Sequence, residues 1–310
     1  MDMEITRVES GEGLRLSEAG AQVDDFIPSA IEKDTKKTSM EGVDGEIFQG
    51  SVYRRRTITV PMHFSATDLL DVPLKRDKLF AILNGTEPFY IRELRRPKRQ
   101  QYAFTKIGEE PKEEEQTSDV YVGGKRYLVI TSSISDPNQT ERDDGLYVEI
   151  EVTFETAELP YAESIGRSKD IYEDGGLSIH PELWSVGMGL QSDPETHRYL
   201  TTTSGTHTVF NPSDVPINTF RHDFRVVITL NEDMDELKLI DNYGRELRIE
   251  RSLQAGDIIT IYKGTVNSNG LNVLRDVKRK EFPYLRKGNN TMRIEGGSVD
   301  ILYDFRFYYH

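Results

Sequence analysis

Along much of the chain, apolar residues recur at every second position. Ile58, Val60, Met62 and Phe64 share one phase, led in by Val52, Arg54 and Arg56, with Thr57, Thr59 and His63 in the other. Leu146, Val148, Ile150, Val152 and Phe154 alternate in the same way with Tyr147, Glu149, Glu151, Thr153 and Glu155. A period of two places one face of a strand on a core and the other in water. Lys125–Ser135 predicts another strand, and SDPNQTERDDG after it reads as a hairpin turn. One helix stands apart. Over 68–84, Leu69, Leu70, Leu74, Leu79, Phe80 and Leu83 fall near helical spacing. Pro73 suits its first turn, where a missing N–H does no harm. Asp71 is the expected cap, and Asn84-Gly85 the expected stop at positive φ. A strand over Glu87–Leu94 follows.

From Pro160 to about Gly205 the alternation fades, and Gly175-Gly176, Gly187 and Gly189 punctuate the segment. Strand patterns resume at Thr206, with RVVITL at Arg225–Leu230 and turn signals at Asn242-Tyr243-Gly244, Ala255-Gly256-Asp257, NSNG and Gly296-Gly297. Short strands between turns at roughly ten-residue intervals predict an antiparallel sandwich. The expected organisation is a first domain over 1–160, a connecting segment or arm over 161–206 and a second domain over 207–310. The pattern leaves open whether the last strand, 300–310, belongs to the second domain or returns to the first.

Composition narrows the function. The 310 residues carry 39 bases and 53 acids, a formal charge of −14, and no cysteine. That balance argues against wide phosphate capture, and zero cysteines exclude thiolate metal sites, disulfides and a thiol nucleophile. No apolar run nears the roughly 18–20 residues of a membrane span, and MDMEITRV lacks a signal core. Charge is locally segregated, basic over 92–99 (RELRRPKR) and acidic over 109–119 (EEPKEEEQTSD), which reads as a solvated loop. The six histidines show no metal-ligand spacing, and Asp143-Asp144-Gly145 reads as a turn rather than a calcium loop. Gly123-Gly124-Lys125 precedes a strand, unlike a phosphate loop, and Trp184-Ser185-Val186-Gly187 lacks the first glycine of a nucleophile elbow. No catalytic, cofactor or metal site is expected. Three features keep two readings each. Trp184 is either core packing or an exposed platform for a sugar or partner. Tyr303, Phe305, Phe307 and Tyr309 form either a core stripe or an intersubunit seam. Arg54, Arg55 and Arg56 are either a solvated surface or a site that pairs with an acidic neighbour subunit.

Five blocks stand in order along the chain. They are Glu41-Gly42-Val43-Asp44-Gly45 with the Tyr53–Phe64 strand, the 68–84 helix with Glu87-Pro88-Phe89, Phe210–Pro216 (FNPSDVP), Ala255-Gly256-Asp257, and Phe282–Thr291 (FPYLRKGNNT). Together they resemble the phage distal tail protein (Dit) family of siphophage tail components, closest to the staphylococcal type. Ser213 departs from the glycine common there, and the 105–124 loop and 160–206 connection exceed the family minimum. The resemblance implies a mainly β fold: an N-terminal β-sandwich or belt domain with one helix, and a C-terminal galectin-like antiparallel β-sandwich. It implies a non-enzymatic, cofactor-free virion protein of the tail tip or baseplate, assembled in the host cytoplasm as a homohexameric ring. Its partners would be the tail tube protein, a tail-associated lysin or fibre, and receptor-binding or upper baseplate proteins. DNA would pass through the ring unbound, and no membrane is involved. On that reading Glu149, Glu151 and Glu155 are candidate lumen-facing acids, and Trp184 a candidate partner-contact anchor. The alternative is a soluble carbohydrate-binding, lectin-like protein, and a glycan hydrolase is a third reading that no motif supports.

Overall fold

The period-two segments form strands in the computed structural model, which describes residues 1–42, 44–95, 123–142, 145–173, 183–185, 187–191 and 194–310. The 109–119 acidic run, the second half of the 92–99 basic run, Asp143-Asp144 and Gly175-Gly176 lie outside the described residues. The chain divides into two compact units, Met1–Ala162 with His310, and Glu163–Tyr309.

The first unit contains β1 (Asp2–Arg7), β2 (Gly13–Arg15), β3 (Gln22–Val23), β4 (Ile27–Pro28), β5 (Lys33–Thr38), β6 (Ile47–Tyr53), β7 (Thr57–Ala66), α1 (Asp71–Leu83), β8 (Phe89–Leu94), β9 (Lys125–Ile134), β10 (Asn138–Arg142) and β11 (Gly145–Thr156). An antiparallel sheet runs in the order β2-β1-β8-β9-β11-β7-β3, with β10 on β11 and β4 on β7. β7 and β11 pair from Thr57↔Glu155 to Ala66↔Leu146, so Ile58, Val60, Met62 and Phe64 share a face with Phe154, Val152, Ile150 and Val148. All eight are buried in one core with Met3, Ile5, Phe89, Ile91 and the inner side of α1.

Helix α1 departs from expectation in three ways. Its buried stripe is Val72, Leu79 and Leu83, whereas Leu69, Leu70 and Leu74 are 69%, 82% and 71% exposed. At 3.6 residues per turn, positions 70 and 74 lie about 160° from that stripe. The N-cap position falls on Leu70, and the carboxylate that holds the entry turn is Asp68 rather than Asp71: its Oδ1 accepts from the N–H of Leu70 (2.8 Å) and Asp71 (2.9 Å). Asp71 is itself the first helical residue, and its carboxylate pairs with Lys75 at 2.9 Å. The stop does not use positive φ, because Asn84 has φ −86°. Instead the Arg7 guanidinium donates to the Ile82 carbonyl at 2.5 Å, and a Cβ on Gly85 would stand 2.9 Å from Arg7 Nη1.

The second unit follows β12 (Ala162–Ser164) with α2 (Ser168–Glu173), a 3-10 turn at Pro194–His197, and β13 (Leu200–Thr203), β14 (Thr206–Asn211), β15 (Ile217–Asn218), β16 (Phe224–Leu230), β17 (Met234–Asp241), β18 (Glu246–Leu253), β19 (Ile258–Tyr262), β20 (Thr265–Ser268), β21 (Leu271–Asn272), β22 (Val277–Lys280), β23 (Tyr284–Leu285), β24 (Gly288–Glu295), β25 (Val299–Phe305) and β26 (Tyr308–Tyr309). Two antiparallel sheets, β13-β25-β16-β19-β20-β21 and β14-β24-β17-β18-β22, form it, with a β15-β23 ribbon. His207 of one sheet and Tyr303 of the other share a 2.8 Å hydrogen bond. The described residues from Glu163 to Gly205 are built into this unit rather than standing outside it as an arm: Leu200–Thr203 pairs with Val299–Leu302. Tyr303, Phe305, Phe307 and Tyr309 are at most 2% exposed, which makes the C-terminal aromatic stripe core. Gly296 has φ +125°, and a Cβ there would stand 2.1 Å from the Glu236 carbonyl oxygen, so only glycine closes the turn before β25.

Candidate assembly surface

The sequence runs Val52 to Phe64 as one strand, but the chain breaks at Arg54–Arg56. Beyond the break, β5 and β6 form a separate two-stranded hairpin whose residues are exposed along nearly its whole length. Lys36 faces Gly50 and Lys37 faces Phe48, so Gln49 is an extra, bulged residue. The bulge shifts the phase of the apolar residues. Phe48 shares one face with Lys37, Lys33 and Tyr53, whereas Ile47 and Val52 share the other with Asp34, Lys36 and Thr38. Both faces therefore carry exposed apolar side chains: Ile47 at 52%, Phe48 and Val52 at 63%. A hairpin alone in water is marginally stable, and an apolar one on both faces is a surface awaiting cover. Its base is anchored. Tyr53 packs against Tyr161 at 6.1 Å and His310 at 5.2 Å, and Arg55 pairs with Glu32 and Glu155.

The three arginines at that base are unlike one another. Arg55 is exposed and pairs within its own chain, with Glu32 and Glu155. Arg56 is 7% exposed, its guanidinium 5.9 Å over the Tyr127 ring and its N–H bonded to Thr156 Oγ1 at 3.0 Å. Beside them runs the outer face of β11. Glu149 and Glu151 are exposed, next to His63 and Pro61 across the ladder. His63 Nδ1 lies 2.8 Å from Asp24 and its ring stacks on Tyr147 at 4.2 Å. Glu155 differs from the other two acids because it shares the Arg55 guanidinium, 3.0 Å away, with Glu32.

Trp184 is 4% exposed. It packs on Phe307 at 5.6 Å and against Gly166, where a Cβ would stand 2.4 Å from the indole. Its surface is used inside its own unit, which corrects the partner-anchor reading to the packing one. The sugar-platform reading loses its aromatic for the same reason, since the chain has one tryptophan. Nearby, Arg167 bonds Asp304 at 2.6 Å and also pairs with Asp223. Burial opposes the Arg167 charge, but the hydrogen bonds to Asp223 and Asp304 outweigh it and raise its pKa. Burial likewise works against the Asp223 charge, and Arg167 and Arg306 overcome it to hold the carboxyl below its usual range. The cluster is therefore charged and internally matched, a bracket between the 163–168 segment, β16 and β25. Among the described residues no group of three or more His, Asp or Glu could hold a metal ion, and no helix is long and apolar enough to cross a membrane.

Residues 11–156 match the phage tail protein RIFT-related domain, and residues 219–309 match the C-terminal domain of the siphovirus-type tail component. Two tail-protein profiles in order thus cover most of the chain. The chain belongs to the siphophage distal tail protein family. Its fold is similar to that of the Dit protein (gp 19.1) of phage SPP1, with TM-score 0.63 and 10% identity over 98% of this chain and 99% of that one. A chain of the phage p2 baseplate in its activated conformation with calcium matches at TM-score 0.40 and 11% identity, over 99% and 97% of the two chains. Among curated proteins none matches the chain. It is a tail component of a phage virion.

Within this tail protein, the motif residues read from the sequence hold turns. Asn290, fully buried, accepts from the Arg286 N–H at 2.8 Å and donates to the Arg286 carbonyl at 2.7 Å and the Gly288 carbonyl at 2.9 Å. Asn211, also fully buried, accepts from the Ser213 N–H at 3.0 Å and donates towards the Leu285 carbonyl at 3.3 Å. Ser213, where glycine is common, is buried and its hydroxyl accepts from the Tyr308 N–H at 3.1 Å. The departure from the family pattern thus adds a bond to the C-terminal strand.

Proposed function

We propose that this tail protein forms a closed homohexameric ring at the tail tip, a non-enzymatic hub. The ring joins the tail tube to a tail-associated lysin or fibre, carries receptor-binding or upper baseplate proteins, and gives DNA a passage it does not bind. The observation that carries the reading is the β5–β6 hairpin, which exposes Ile47, Phe48 and Val52 on two faces in a chain of this family. Such surface is costly in an isolated subunit and useful in an assembly. Charge supports the conduit. Each copy brings a formal −14, and acids on the wall of a channel repel phosphates rather than retain them. Glu149 and Glu151 are the acids proposed for that wall. Glu155 contributes less, because Arg55, shared with Glu32, partly compensates it. A tail-tip reconstruction from purified virions tests the proposal: six copies around a channel, with Glu149 and Glu151 towards the bore, is the expected result. A tail tip without a ring of this chain refutes the hub, and a ring with both acids outside refutes the lumen assignment alone.

A further inference from the structure

The second unit carries a strip of arginines and aromatic rings. Between β17 and β18 the chain turns at Asp241–Arg245, and the Asp241 carboxylate closes the turn by accepting from the N–H of Tyr243 at 2.8 Å and of Arg245 at 3.0 Å. The turn meets the segment after Phe282 twice. The Arg245 guanidinium lies 4.5 Å over the Tyr284 ring, and the Arg286 guanidinium 3.9 Å over the Tyr243 ring. The register of the β15–β23 ribbon continues the strip. Asn218 faces Tyr284, and two residues further on Phe220 meets Phe282 edge-on at 4.8 Å. Phe220 is 57% exposed yet closely seated, because a Cβ on Gly264 would stand 2.7 Å from its ring.

Charge on this strip runs against the chain's formal −14. Arg245 and Arg286 are exposed, and among the described residues neither guanidinium has an ion pair or a hydrogen bond. The acids around them are committed elsewhere. Asp241 is 6% exposed and closes its own turn, Glu246 binds Arg248 and Arg279, Glu281 accepts from the Glu246 N–H, and Asp214 binds Lys287. A guanidinium stacked on a ring is fixed in orientation and keeps its in-plane N–H edge, which takes a carboxylate in two parallel bonds. Arginine and tyrosine around a seated apolar side chain are the composition of an interface centre. Resting on the hub proposed above, which carries other tail proteins, we infer that this strip docks one of them, and that the partner's face is acidic: its carboxylates take Arg245 and Arg286, and an apolar side chain beside them covers Phe220. A sugar polymer fits less well, because both tyrosines already carry a guanidinium and the remaining open ring is phenylalanine.

A photoreactive benzoylphenylalanine in place of Phe220 reads the contact in assembled tails. Illumination of purified particles should join the 35.5 kDa chain to a different tail protein, through a segment rich in Asp or Glu. The same probe at Lys278, exposed on β22, should not. Arg245→Glu with Arg286→Glu should leave the ring in place by microscopy and cut both the adduct and the bound partner by about tenfold or more, because reversal sets like charges against each other. An adduct that survives the double reversal, an adduct only to another copy of this chain, to DNA or to a glycan, or no adduct on tails whose ring is intact, overturns the inference and leaves the hub standing. A tail tip without a ring of this chain overturns both. Should the variants fail to assemble, the unmodified tail tip decides the question: a different protein lying across Phe220 and Tyr243 with carboxylates at Arg245 and Arg286 supports the inference, and solvent or another copy there overturns it.

Discussion

His222 is 6% exposed in the second unit, its Nδ1 accepting from the Asn218 N–H at 3.2 Å and its ring edge-on to Tyr308 at 4.7 Å. An acceptor Nδ1 leaves the ring proton on Nε2, which has no partner. A second proton would have to enter a buried site and displace the Asn218 bond. Burial, with Arg221 adjacent, pushes the pKa down to about 4 from 6.5. The unfolded chain then binds a proton near pH 6.5 that the folded chain refuses until about pH 4. Between those values the unfolded state holds more protons, so stability rises with pH; the contribution is complete above 6.5 and lost as pH falls to about 4. At 1.36 kcal/mol per pKa unit the whole effect is about 3 kcal/mol, of which about 2 is lost by pH 5. His207, lowered mainly by burial, pulls in the same direction. The assay is urea unfolding followed by fluorescence of Trp184, which reports this unit, for the wild type and His222→Asn, whose amide oxygen replaces the Nδ1 acceptor. The variant is expected to be the less stable protein at pH 7.5, and its deficit to shrink by about 2 kcal/mol at pH 5. A deficit that stays constant between those two pH values would show that His222 carries no proton linkage and refute the argument.

Four further outcomes are expected. Gly166→Ala drives a methyl into the Trp184 indole and should cost about 1–3 kcal/mol with a shifted emission maximum, read in the same urea titration. Arg167→Met leaves Asp304 and Asp223 short of their buried cation and should cost about 3–5 kcal/mol near neutral pH, less at acid pH where the Asp223 carboxyl takes up its proton. Asn290→Ala removes the partner of one N–H and two carbonyls and should cost about 1–3 kcal/mol in thermal unfolding. Leu70→Asn, at a position 82% exposed, should leave the isolated chain within about 0.5 kcal/mol of wild type, read in the same urea titration.

Strands such as β7 and β11 were legible because one face of each meets a core, and burial stamps a period of two on the sequence. The stop at Arg54–Arg56 was not, because Val52 continues the phase of Ile58 although the two sit on different sheets. Its apolar side chain is exposed and meets no core of its own unit. The leucines of α1 misled for the same reason: periodicity counts apolar positions whether or not a core covers them, so Leu70 and Leu74 read as core. The carboxylate at the entry turn moved from Asp71 to Asp68 because both suit the role and only backbone geometry chooses. Asn211, Asn290 and the Gly296 turn were visible as motifs, with their bonds hidden. The buried state of Trp184 and the matched Arg167 cluster depend on residues more than a hundred positions apart, such as Phe307 and Asp304, which no local pattern joins.

The ladder between β7 and β11 has a mechanical meaning. Its paired residues run along the full strand, and the hairpin and α1 attach at opposite ends of β7. A pull applied between those two attachments runs along β7 and is carried by the covalent backbone of that one strand. The antiparallel bonds to β11 lie across the axis, so they hold β7 extended against its neighbour rather than bearing the load in series. Tension between the hairpin and the helix would thus meet a strand that is already drawn out and has little length left to yield.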